Sequence, residues 1–293
     1  MRADLVIAGI TCWAALVPDA YIPTAEWDAE MLVGAPGLVL TAEITAPQEV
    51  DKLIAEFGFL GLSVFWNANG PKVGLKTNRP IFDDVTWEIT DNDIVKGGLE
   101  MKARDDRRLT EVLFQTVQID ATKGTADDNF VRYEYTIDGN AKDPNAYGDS
   151  RLKIEKIRWF NDGNDALIRT LSIRYLRRFS TAPRLVTVTV QRAKYGAASL
   201  ADVVFITSKR ITDADGLPER QAYQIISKQT AGPALVELVL QRYLYDGRYA
   251  RFLRDTDPND YLLADEATRA RGFYFVSKAN PVLPDGSGPY LFA

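Results

Sequence analysis

Residues 165–191 hold the pattern that most restricts what this chain can become. Ile168, Leu171, Tyr175, Leu176 and Phe179 recur at helical spacing and form one apolar stripe. Asn164 or Asp165 can cap the helix start, because a short side-chain oxygen accepts a hydrogen bond from a first-turn amide. Pro183 stops the helix. Val186, Val188 and Val190 then alternate with Thr187 and Thr189, the period of a strand with one buried face. Arg169, Arg177 and Arg178 avoid the apolar stripe, and the last two complement the negative end of the helix dipole. A solvated outer face accounts for them; a contact with another subunit is the functional alternative.

The flanking sequence adds mostly strands. Leu62 to Trp66 and Val73 to Lys76 read as a hairpin around Asn67 to Gly70. Trp87 to Thr90, Gly98 to Lys102, Leu109 to Ile119, Val203 to Thr207, Tyr223 to Ile226 and Ala234 to Tyr243 read as further strands. The uneven alternation of Leu109 to Ile119 predicts a bulge. Val131, Tyr133, Tyr135 and Ile137 alternate with polar residues, which predicts a half-buried strand with those four facing inward. Leu5 to Val17 predicts a buried helix or strand. It is too short to span a bilayer and lacks a clear cleavage site for export. Glu26 to Met31 predicts a short helix. Pro47 to Phe59 predicts a longer one, with Val50, Leu53, Ile54 and Phe57 inward. Residues 121–129 and 138–149 read as loops, the first of them mobile. Helices scattered among many strands give an α+β class.

Composition excludes much chemistry. The chain has no histidine, which removes the commonest general base, metal ligand and neutral-pH switch. Histidine-activated nucleophiles and zinc-hydrolase sites go with it. The single Cys12 excludes an internal disulfide framework. No phosphate loop, dinucleotide fingerprint or serine elbow is present. The net charge of −5 does not support a bulk nucleic-acid surface. No cofactor, nucleic acid or stable membrane insertion is expected. A carboxylate-dependent carbohydrate-active enzyme stays open, because 40 acidic residues allow some pair to face each other.

Three local features have competing readings. Asp255, Asp257, Asn259 and Glu266 have the spacing of oxygen ligands in a calcium loop, but Asp260 stands where such loops need glycine. A capped turn before a helix at Glu266 to Arg271 is the plainer account. Asp213 and Asp215 read as a turn. Tyr243, Tyr245, Tyr249 and Phe252 bracket Arg242, Arg248 and Arg251, a pattern that can stack sugars together with Trp66. A core strand entering a short helix is the plainer account. After Arg254 prolines multiply and periodicity fades. Tyr261, Phe273, Phe275, Tyr290 and Phe292 remain, so this stretch is expected to be an arm packed on a partner subunit.

The central segment resembles the baseplate-hub or tail-tip proteins of long-tailed bacteriophages and gene transfer agents. The residues that carry the resemblance are Tyr147-Gly148, Arg158-Trp159-Phe160, Leu176 to Phe179, Ala182-Pro183-Arg184, Asp202-Val203-Val204 and Tyr223 to Ser227. Tyr21-Ile22, Ala25-Glu26-Trp27, the helix from Pro47, the hairpin Val64 to Leu75 and Ile94 to Leu99 follow the same order upstream. The ending from Asp257 through Asp285 to Tyr290 is similar to the closing segment of phage tail-tip proteins. The resemblance implies a small mixed α/β domain over 1–84, a β-barrel-like hub domain with an inserted helix over 85–252, and an extended arm over 253–293. It also implies a structural virion protein, made in the host cytoplasm, that closes the tail tube as a homotrimer. Its implied partners are other hub subunits, the distal tail protein, the tape measure and fibres. The family's N-terminal barrel and long fibre region have no counterpart here, so a truncated or split hub component is expected.

Overall fold

The computed structural model describes residues 2–243, except 36–37, 46–47, 68–69, 79–86, 144–147, 162–164 and 213–214, together with residues 249–250 and 291–292. The helices are α1 (Ala3–Gly9), α2 (Thr24–Gly34), α3 (Val50–Glu56), α4 (Gly139–Lys142), α5 (Asp165–Phe179) and α6 (Arg192–Tyr195). The strands are β1 (Leu62–Asn67), β2 (Lys72–Thr77), β3 (Trp87–Thr90), β4 (Ile94–Ala103), β5 (Glu111–Gln118), β6 (Phe130–Ile137), β7 (Leu152–Ile157), β8 (Arg184–Gln191), β9 (Val203–Thr212), β10 (Pro218–Gly232), β11 (Leu235–Arg242), β12 (Tyr249–Ala250) and β13 (Leu291–Phe292). The class is α+β, with one sheet curled into a half-barrel.

That sheet has the order β3-β9-β10-β11-β8-β4, antiparallel except for the β3–β9 pair. Its buried face is set by alternation: Val186, Val188 and Val190 on β8 stand opposite Leu240, Leu238 and Val236 on β11. All six are buried, and Val204, Ile206, Ile225, Ile89 and Leu99 join the same core. The curl brings distant strands together. Arg210, on the far part of β9, donates to the Leu99 carbonyl of β4 at 2.6 Å. The α6 turn closes the concave side: buried Tyr195 donates to the Glu88 carbonyl at 2.6 Å. The β4–β8 register shifts between Ile94 and Leu99, and Gly97 takes a φ of 78° inside that shift. A side chain is disfavoured there, which gives the glycine pair a structural reason.

A second core gathers segments far apart in sequence. It unites Ile7, Trp27, Met31, Leu53, Phe57, Leu62 and Leu75 with Val112, Phe114, Ile157, Trp159, Ile168, Leu171 and Leu176. The apolar stripe of α5 therefore seats on the sheet β6-β5-β7, in which β5 pairs antiparallel with β6 and parallel with β7. The N-terminal segment predicted as a helix or strand is α1, continued by a π-helical turn over Ile10–Ala14. The helix predicted at Glu26 is longer than read, Thr24–Gly34, and its Trp27 donates to the Val73 carbonyl of β2 at 3.1 Å. The helix predicted from Pro47 begins at Val50 and tightens to a 3-10 turn at Phe57; Pro47 and Asn164 lie outside the described residues.

Three sequence expectations need correction. The strand β6 alternates as predicted, but its apolar residues face outward. Val131, Tyr133, Tyr135 and Ile137 are 56%, 56%, 51% and 47% exposed. The cause is the polar character of α5 above this strand: Thr136 hydrogen-bonds Ser172 at 2.7 Å and Glu134 accepts from Arg169 at 3.2 Å. These contacts draw the polar side of β6 under the helix. The bulge predicted in β5 is not present: the β5–β6 register runs unbroken, although Val117 has a φ of 62°. The loop read as mobile at 121–129 is pinned by Asn129, which donates to the carbonyls of Asp120 and Gly124 at 2.7 and 2.8 Å.

Candidate functional site

The two cores meet where α5 ends and β8 begins. Leu109 donates its amide to the Phe179 carbonyl at 2.8 Å, and Arg104 donates its amide to the Pro183 carbonyl at 3.1 Å. Pro183 turns the chain from the helix into the curled sheet, and the last residues of β11 run alongside. This junction holds a cavity of about 390 Å³ lined by Arg177, Arg178, Thr181, Ala182, Pro183, Arg184, Arg242 and Tyr243.

Each arginine arrives for a local reason. Arg177 and Arg178 occupy the last turn of α5, off the buried stripe. Arg184 is the first residue of β8 and Arg242 the last of β11, so sheet pairing brings the two strand ends to the same rim. Arg177 and Arg184 are exposed, Arg178 and Arg242 half-buried, and Tyr243 is buried at the floor. Arg178 donates to the neutral amide oxygen of Gln224 at 3.0 Å and lies over the Phe179 ring. Arg184 reaches the amide oxygen of Gln221 at 3.5 Å. Glu219 in turn accepts from the Gln221 side-chain amide. None of the described lining residues is acidic. Burial raises the Tyr223 hydroxyl above its usual range, against the lowering pull of Arg184 and Arg242. The described lining is thus rich in arginine, with Ala182 and Pro183 as an apolar wall.

The outward face of β6-β5-β7 is the second unusual surface. Register places Tyr135, Leu113 and Ile154 in one row and Ile137, Glu111 and Leu152 in the next. Leu152 and Ile154 are each 47% exposed. Glu111 sits in this apolar field because Lys142 reaches it at 2.8 Å while Ser150 and Tyr135 donate to it. Those partners, Lys142 foremost, hold its carboxyl down at about 2.

Of the residues predicted to contact partners, the structure brings Arg177 and Arg178 together in the cavity. Asp255, Asp257, Asn259, Glu266, Tyr261, Phe273, Phe275 and Tyr290 lie outside the described residues, and Phe292 is described only as part of the short strand β13, parallel to β12. Among the sugar-stacking aromatics, Tyr243 is buried and so presents no open ring face, while Tyr245 and Phe252 lie outside the described residues. Trp66 is exposed and pairs with Tyr21 at 5.8 Å between ring centroids. Sequence reasoning missed Arg184 and Arg242 as cavity members. Their position at strand ends flanking the helix stop was the available signal. Among the described residues no acidic or thiol cluster is placed to hold a metal ion, and no helix is long and apolar enough to cross a membrane.

No protein-family model matches this chain, and no curated protein matches it. Solved structures do. The fold is similar to a chain from the virion of a native gene transfer agent particle, with a TM-score of 0.58 and 16% identity over 87% of this chain and 50% of that one. It is also similar to a tail protein from Neisseria meningitidis MC58, with a TM-score of 0.48 and 13% identity over 84% of this chain and 69% of that one. A 43 kDa tail protein of prophage MuSo2 from Shewanella oneidensis gives 0.43 and 13% over 84% and 67%. The chain therefore spans about half the length of the gene transfer agent protein whose fold it shares. Its structural neighbours are virion and tail proteins of phages and of a gene transfer agent.

Proposed function

We propose that this chain is a structural component of a phage-type tail tip, a hub subunit that helps close the tail tube as a homotrimer and docks neighbouring tail proteins or fibres. The observation that carries this reading is the shared fold with a gene transfer agent virion chain over 87% of the sequence. The open apolar face of β6-β5-β7 supports it, since a contiguous apolar patch of this kind marks a surface that another protein covers. The lack of histidine agrees with a role in assembly rather than in acid–base chemistry.

Two measurements test the proposal. Gold labelling of a tagged chain on purified particles should mark the distal end of the tail. Native mass spectrometry of the chain should show a species three times the 32.7 kDa monomer. Label confined to the capsid, or absent from particles, rejects the tail-tip role; a strictly monomeric chain in particles and in solution rejects the trimeric hub.

A further inference from the structure

We infer that the outward face of β6-β5-β7 is the contact between copies of this chain, with the β6 side of one copy packed against the β7 side of the next in a ring of three. The inference rests on the trimeric hub reading for the number of copies; the choice of surface rests on the sheet itself.

The helix α5 covers one face of this sheet. On the other face Val131, Tyr133, Tyr135 and Ile137 of β6 and Leu152 and Ile154 of β7 are each about half exposed. Together they present roughly 600 Å² on each copy, the size at which an apolar patch marks an interaction site. β6 and β7 are also the two edges of the sheet. Open edges beside an open apolar face invite another chain.

The two edges differ and complement each other. The β6 side carries the tyrosines, and the β7 side carries aliphatic Leu152 and Ile154. An aromatic ring against a β-branched side chain is a favourable pairing between strands. Tyr135 and Ile154 share one row across the sheet, as do Ile137 and Leu152. Contact between the two sides therefore turns each copy about an axis along the strands without moving it along that axis. Such a contact closes into a ring and does not grow into a filament.

Area and charge favour the ring over a stacked pair. One contact of β6 side to β7 side buries roughly 600 Å² from both copies together, too little to hold two copies, whereas three contacts bury roughly 1,800 Å². The ring therefore opens on dilution into monomers whose face is exposed. Stacking two copies face to face would instead cover the central strand β5 and the Glu111–Lys142 pair. The Lys142 side chain is 39% exposed and would lose its water there. In the ring that pair faces the axis, not a neighbour.

The test is sedimentation of the whole chain over a concentration series. The unaltered chain should pass from monomer to trimer as concentration rises. Tyr135→Lys and Ile154→Glu each place a charge in the contact, and each should raise the concentration of half-association at least about tenfold. One chain carrying both changes sets a lysine against a glutamate at every contact and should recover at least about threefold over either single variant. Leu32→Glu, at a 64% exposed position on α2, should stay within about twofold. Hydroxyl-radical labelling of the unaltered chain gives a readout free of folding effects. Tyr133 and Tyr135 should be modified less when the chain is concentrated than when it is dilute, with Trp66 unchanged. A trimer unaffected by the single variants, a double variant no better than the singles, or tyrosines labelled equally at both concentrations overturns the inference and leaves a trimeric hub held by another surface. A dimer as the end state overturns it in favour of face-to-face stacking. A chain that is monomeric at every concentration overturns it and gives the face to a different protein, while gold label at the distal end of the tail would still uphold the tail-tip role.

Discussion

The two sheets use the same alternation and end with opposite surfaces. In the curled six-stranded sheet, every second residue of β8 and β11 is sealed by strands on either side and by the α6 turn. In the three-stranded sheet, the covering helix sits on one face only and meets polar side chains of β6 there. Its apolar row is left outward. Alternation therefore reports that a strand has two unlike faces, while the covering element decides which face is buried.

The largest expected effect separates these two cases directly. Leu238 and Val188 face each other with no exposed surface. Leu238→Ala removes buried methyl groups and leaves a void in a rigid sheet, so it should cost about 2–5 kcal/mol. Ile154→Thr on the outward face should cost less than about 1 kcal/mol in the isolated chain, because Ile154 is already half exposed. Denaturant unfolding of both variants is the measurement. Equal losses would mean that the outward face is covered in the isolated chain and would undo the contrast.

A second variant asks whether the discontinuous core behaves as one unit. Glu56, at the end of α3, pairs with Arg158 and accepts from the Trp159 indole at 2.7 Å. The Arg158 side chain is only 6% exposed. Glu56→Gln removes the charge and one acceptor, leaving a buried guanidinium undercompensated, and should cost about 1–3 kcal/mol. Glu49→Gln, about two turns earlier, breaks only an exposed pair with Lys52 and should cost less than about 0.5 kcal/mol. If Glu56→Gln is as silent as the control, α3 does not brace the segment around Trp159.

Legibility in the sequence follows the same divide. α5, β8 and β11 were readable because their periodicity coincides with the face that packing buries. β10 was read only at Tyr223 to Ile226, since its register shifts at Ile225/Ser227 and Thr230/Gly232 break the alternation further along. β7 was missed altogether. Leu152 and Ile154 belong to the outward face and Ile157 to the buried one, so its apolar residues change sides within one strand. Half of the arginine cavity was readable, because Arg177 and Arg178 stand off an obvious apolar stripe. Arg184 and Arg242 come from strand ends 58 positions apart in sequence, joined only through the β8–β11 pairing.

The smallest expected effects compare the two faces of the three-stranded sheet through one carboxylate on each. Glu111, on the outward face, is held down at about 2 by Lys142, with Ser150 and Tyr135 donating as well. Glu155, under α5, is pushed up by burial, against the nearby Lys153, and accepts from Tyr175 at 3.1 Å. The signs are opposite. A folded-state pKa below the unfolded value gives Glu111 a stabilising contribution above the usual glutamate range of about 4–4.5, lost as pH falls from there toward about 2. A folded-state pKa above the unfolded value makes ionised Glu155 a cost at neutral pH, and that cost disappears as pH falls through the ordinary glutamate range, below which both states are protonated. Glu111→Gln should therefore lower the melting temperature at pH 7 by about 2–4 °C and lose that penalty in acid. Glu155→Gln keeps an acceptor for Tyr175 and should raise it by about 1–2 °C at pH 7, an advantage that also fades in acid. Melting curves from pH 3 to pH 8 distinguish the pair. Two variants shifting in the same direction at pH 7 would show that the faces of this sheet do not differ electrostatically, because a shared sign leaves α5 no role in setting it.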